Sequence, residues 1–133
     1  MRVLTVGVFD GLHTGHLNIL ERAATQGDYL VVGVQSDAAA ARTKDMLPVM
    51  ALEARLRLVQ AIRFVDETVA YDNVDELVRQ VNLDVFVTGE DQIHKGFQDA
   101  EAYCRQHDIR VIRLPRTPGI SSTILRENPS NST

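Results

Sequence analysis

The sequence predicts an α/β domain of Rossmann type, a doubly wound sheet of five parallel strands, and three observations predict it. Short apolar, β-branched runs alternate with segments of helical periodicity along the chain, the pattern of a parallel sheet covered on both faces. With 133 residues, 44% of them hydrophobic, there is material for one domain with a real core. The first apolar run also breaks into a glycine-punctuated turn, GVFDGLHTGH at 7–16, just before a helical pattern; this strand–turn–helix unit has the form of a phosphate site.

The elements follow in order. RVLTVGV at 2–8 reads as the first strand, and residues 17–26 carry Leu17, Leu20, Ala23 and Ala24 at helical spacing. YLVVGV at 29–34 is the second strand, followed by a polar, alanine-rich stretch to Pro48 and a helix over 51–62. A short strand is expected near 67–70, a helix near 74–81, the strand DVFVTG at 84–89, a helix around 97–107 and the strand RVIRL at 110–114. A loop over 115–119 leads to a final short helix from about Ser121. Residues 1–127 form the domain and 128–133 a disordered polar tail, with no repeat or linker. Ligands of such sheets bind outside the carboxyl ends of the strands. Four loops are expected on that edge, at 7–16, 36–44, 88–91 and 115–123.

Composition excludes several classes. The net charge of −4 lacks the basic footprint of a general nucleic-acid binder, and no apolar run is long enough to span a membrane. One cysteine, Cys104, excludes an internal disulfide framework, and the N-terminal residues lack a secretory pattern. The expectation is a cytoplasmic protein without nucleic-acid or membrane partners.

His13 and His16 fall at or just inside a helix N-terminus, where backbone N–H groups lack partners and the helix dipole favours anions. Positions three apart share a face. Gly7, Gly11 and Gly15 permit positive φ and close approach of a ligand to the backbone. A metal pair or a structural role is the competing reading, but a zinc site wants three or four protein ligands, and no further cysteine or carboxylate–histidine cluster accompanies the pair. No metal ligands are therefore assigned.

The second signal is RTPGISST at 116–123. Ser121, Ser122 or Thr123 in isolation reads as a helix N-cap and Gly119 as a turn. Together with Arg116, whose fork suits phosphate oxygens, the hydroxyls and free N–H groups suit a nucleoside triphosphate held between two helix N-termini.

GVFDGLHTGH resembles the GxFDxxHxGH signature of the HxGH nucleotidyltransferase superfamily, and RTPGISST resembles the RTEGIST motif of its cytidylyltransferase branch. The resemblance runs from about Val3 to Arg126 and includes GDYLVVGVQSD (27–37), EARLRLV (53–59), AIRFVDE (61–67) and DVFVTGED (84–91). These stretches are similar to those of glycerol-3-phosphate, choline-phosphate and ethanolamine-phosphate cytidylyltransferases, with size and spacing closest to the small bacterial glycerol-3-phosphate type. The resemblance implies transfer of CMP from CTP to a small phosphorylated alcohol with release of pyrophosphate. It implies that His13, His16, Lys44 and Arg116 are catalytic. The nucleotide would be met by Val8, Phe9, Asp10, Thr14, Gly15, Arg63, Asp91, Thr117, Pro118, Gly119, Ile120, Ser121, Ser122 and Thr123, and the acceptor by Lys44 and Arg55. Mg²⁺ is expected with the triphosphate, bound through phosphate oxygens and water, and the small members imply a homodimer.

Several of these residues carry a second reading. Lys44 alone reads as a solvated lysine, Arg55 and Arg63 as surface or dimer-contact arginines, Asp91 as a cap, and Asp10 as a residue positioning the histidine loop. Pro118 stands where the glycerol-3-phosphate type has Glu, and Ser122 where it has Thr. YDNVDEL at 71–77 lacks that type's nearby tryptophan and lysine, and His94 with Lys95 offers an alternative phosphomonoester site or a plain basic loop. Two other functions stand beside the first: an adenylyltransferase of the FAD synthetase kind, and a nucleotide-binding regulatory module without catalysis. A class I tRNA synthetase is excluded by size.

Overall fold

A computed structural model describes residues 1–44, 46–90 and 92–115, with the backbone alone at 43 and 44. Five strands form one sheet in the order β3-β2-β1-β4-β5. They are β1 (Arg2–Gly7), β2 (Tyr29–Gln35), β3 (Glu67–Tyr71), β4 (Val85–Gly89) and β5 (Arg110–Leu114). Every pairing is parallel, so all carboxyl ends share one edge, and the order reverses direction between β1 and β4. That switch point is where an open α/β sheet offers its crevice.

The strands form because their β-branched runs are buried on both faces: Val31, Val32 and Val34 of β2 and Val85, Phe86 and Val87 of β4 are at most 1% exposed. One face packs Val3, Val32, Val34, Val85 and Val87 against α1 (Thr14–Ala24) and α3 (Leu52–Gln60), through Leu20, Ala23 and Val59. The other packs Leu4, Val6, Val31 and Phe86 against α4 (Val74–Gln80) and α5 (Lys95–Gln106), through Leu77, Val78, Phe97 and Cys104. The doubly wound architecture is thus the one expected. No helix among the described residues is long and apolar enough to cross a membrane.

One expectation is corrected. The stretch after β2, read as a loop, carries the helix α2 (Asp37–Lys44). Its cause is local: four consecutive alanines have the best helix propensity, and the Ser36 hydroxyl accepts a bond from the Ala39 N–H at 3.3 Å, a cap at the helix start. Smaller shifts occur at α1, which starts at Thr14 rather than residue 17, and at α5, which starts at Lys95 rather than residue 97. The expected helix from Ser121 and the tail lie outside the described residues.

Candidate nucleotide site

The histidine loop leaves β1 at the switch point and enters α1 with His13 as N-cap. His13 takes extended backbone angles there, φ −144° and ψ 176°. Its side chain does what serine or aspartate does at most helix starts: Nδ1 accepts the Gly15 N–H at 3.0 Å. In return the His13 N–H donates to Nδ1 of His16 at 3.3 Å, closing a capping box built from two histidines. The rings stack with centroids 3.9 Å apart and planes 23° apart. A neutral imidazole whose Nδ1 accepts must carry its proton on Nε2, so the cap sets the tautomer of both rings. Burial lowers the pKa of His13, which favours the neutral form that the cap requires.

The preceding turn is held by three devices. Gly11 takes φ +81°, open to glycine at no steric cost. Phe9 takes φ +57° although it is not glycine, at a cost of about 1–2 kcal/mol. Its ring is 5% exposed in the core, and such burial returns about 1.5–3 kcal/mol, so packing outweighs the backbone strain. The third device is Asp10, 8% exposed, whose two oxygens accept the N–H groups of Val49 at 2.8 Å and Met50 at 2.9 Å. Asp10 therefore staples the histidine loop to the segment preceding α3, as one of its two sequence readings has it.

Arg55 differs from its expected role on the acceptor. Its side chain is wholly buried and donates to the carbonyls of Met50 at 2.9 Å, Val8 at 2.9 Å and Gln35 at 2.7 Å. It also pairs with the Asp37 carboxylate at the start of α2. Burying a guanidinium is costly unless its donors are satisfied; here they are satisfied by the ends of β1 and β2, by the loop before α3 and by α2. Arg55 is a strut beneath the site rather than an exposed anion binder. The signal was present in the sequence, since Arg55 falls on the apolar stripe of α3 with Leu52, Leu56 and Val59. Asp37, its carboxylate partner, was missed for lack of any local motif.

Thr14 is exposed and Gly15 buried in the first turn of α1, while Val8 is half-buried at the end of β1. Arg63 is exposed beyond the end of α3, with its Cζ 5.2 Å from the Phe64 ring centroid. Lys44 is the last residue of α2. His94 occupies the N-cap position of α5 without a side-chain capping bond and lies edge-on to Phe97, with ring centroids 4.7 Å apart. Asp91, Arg116, Thr117, Pro118, Gly119, Ile120, Ser121, Ser122 and Thr123 lie outside the described residues. No group of three or more His, Cys, Asp or Glu side chains among the described residues is arranged to hold a metal ion.

The family model described as "Cytidylyltransferase-like" matches residues 4–128. The chain belongs to that family. Among curated relatives, a glycerol-3-phosphate cytidylyltransferase of Bacillus subtilis is 38% identical over 129 residues, 95% of each chain. An FAD synthase of Thermococcus kodakarensis is 39% identical over 120 residues, 86% of this chain and 80% of the relative. Among solved structures, a lipopolysaccharide core biosynthesis protein from Thermoplasma volcanium superposes with a TM-score of 0.73 at 28% identity, covering 88% of this chain and 96% of its own.

Proposed function

We propose that this cytidylyltransferase-like chain transfers CMP from CTP to a small phosphomonoester, glycerol 3-phosphate first among them, and releases pyrophosphate. The observation that carries the reading is the histidine cap. Each ring gives its Nδ1 to a backbone N–H, so Nε2–H is the atom that each neutral imidazole offers to phosphate oxygen. An oxygen of the acceptor phosphate attacks the α-phosphorus, the bond to the bridging oxygen breaks in line, and the electron pair leaves with pyrophosphate. No covalent bond to the protein forms. Catalysis of this kind is positioning and charge stabilisation, which His13 and His16 supply at the start of α1, where the helix dipole adds to their effect.

Lys44 and Arg116 add positive charge to these neutral donors in this proposal, with the hydroxyls and backbone of 119–123 on the outer phosphates. Mg²⁺ is expected with the triphosphate and would neutralise phosphate charge, with no ligand from the described protein residues required. The extent of the match to a glycerol-3-phosphate cytidylyltransferase supports the acceptor, and RTPGISST supports CTP. Similarity to an FAD synthase at 39% identity favours a second reading, adenylyl transfer from ATP. A cytoplasmic homodimer is part of the first proposal.

The test is pyrophosphate release from CTP, ATP, GTP and UTP against a panel of small phosphomonoesters and phosphonates. CTP with glycerol 3-phosphate is expected to turn over fastest. Preference for ATP establishes the second reading, and no release with any pair leaves a nucleotide-binding module without catalysis.

A further inference from the structure

We infer that Phe9 is a positioning residue for the transfer, acting through His16. This rests on the reading above that His16 donates to phosphate charge. Phe9 and Asp108 alone among the described non-glycine residues have positive φ, and a glycine at position 9 would adopt that angle freely. A phenylalanine held there is held for its ring. The ring turns back under the end of β1, so close that a Cβ on Gly7 would stand 3.0 Å from two of its carbons. Gly7 is therefore the space into which the ring fits, and the GxF pattern reads as one unit.

The same ring also meets His16, with centroids 5.4 Å apart and planes at 61°, a T-shaped contact. Three of the contacts that hold His16 are the His13 N–H at its Nδ1, the stacked His13 ring, and the Phe9 ring. The first two constraints come from His13 and shift with it. Phe9 belongs to the core cluster with Leu20, Leu30 and Val59, so it ties the imidazole to the rigid body of the domain. A ring held this way keeps Nε2 on one line, and small errors in the placement of a reacting contact cost large factors in rate.

The experiment is a double-mutant cycle on kcat with whichever nucleotide the wild-type enzyme turns over. Phe9→Leu keeps an apolar side chain and removes the ring edge; Phe9→Met repeats the test should the leucine variant fail to fold, and Phe9→Tyr keeps the ring. We expect Phe9→Leu to lower kcat roughly tenfold or more with nucleotide KM nearly unchanged, and Phe9→Tyr to restore most of the rate. In a His16→Ala background the Phe9→Leu change should cost less than about twofold, because residues acting as one unit are not additive. An equal loss in both backgrounds, or no rescue by tyrosine, overturns the inference. Should His16→Ala itself leave kcat unchanged, the reading of His16 fails first, and the cycle identifies that failure separately.

Discussion

Replacing Arg55 by methionine removes a buried cation on which four separate segments converge, and the cost follows from its four bonds. The bond to the Gln35 carbonyl is buried, and losing a charged donor there costs about 1.5–3 kcal/mol. The Val8 and Met50 carbonyls are part-buried, so water replaces the lost donor and each costs roughly 0.5–1 kcal/mol. The Asp37 side chain is 43% exposed and returns to solvent, adding about 0.5 kcal/mol. Methionine recovers part of the total by filling the site without a charge, leaving a destabilisation of about 3–4 kcal/mol. For 133 residues, an unfolding entropy of about 2.1 cal/mol/K per residue turns this into a Tm lower by roughly 11–14 °C. Differential scanning calorimetry at pH 7.5 measures it, with acceptor KM recorded well below Tm. A Tm within about 3 °C of wild type, accompanied by a tenfold or greater rise in acceptor KM, refutes the strut and returns Arg55 to the substrate.

Two further outcomes follow from the histidine cap. His16→Ala is expected to reduce kcat by roughly two orders of magnitude, as loss of one preorganised donor does, with little change in nucleotide Kd by calorimetric titration; near-normal kcat with a lowered Tm makes His16 structural. Burial lowers the pKa of His13, so its contribution to stability is present above the unfolded value of about 6.5 and is lost as pH falls from there through the lower folded value. Tm should therefore drop between pH 7.5 and 5.5, and His13→Asn, which keeps a capping acceptor without titrating, should flatten that drop; an equal slope in the variant assigns the pH dependence elsewhere.

The sheet was legible because its inner strands carry short β-branched runs, such as LVVGV at 30–34 and VFV at 85–87, bounded by polar and turn residues. The histidine loop was legible for a related reason: its glycines and paired imidazoles are local in sequence, as is the capping they perform. Asp10 was visible as a residue positioning the histidine loop, but its partners were not, because Val49 and Met50 lie 39 and 40 positions away; Arg55 was not visible as a strut, because Asp37, Gln35 and Val8 lie 18, 20 and 47 positions away. Helix α2 was hidden by brevity; eight residues with alanines on every side give little periodicity to read. Phe9 was hidden most thoroughly, since nothing in a sequence says that a phenylalanine will occupy backbone space where glycine would be free.

The strand order also dictates how the chain assembles. β1 finds its first neighbour in β2, and β2 in β3, so residues up to Tyr71 can complete a three-stranded sheet from nearby sequence as it is synthesised. The other flank of β1 waits for β4, whose Val85, Phe86 and Val87 pair with Val3, Leu4 and Thr5. Until then the first strand presents an open row of N–H and C=O groups, the kind of edge that recruits other chains. Closing that gap is a long-range step and therefore a slow one. It is also the step that creates the crevice beside His13 and His16, so the candidate site exists only once segments 82 positions apart, Val3 with Val85 and Leu4 with Phe86, have been joined.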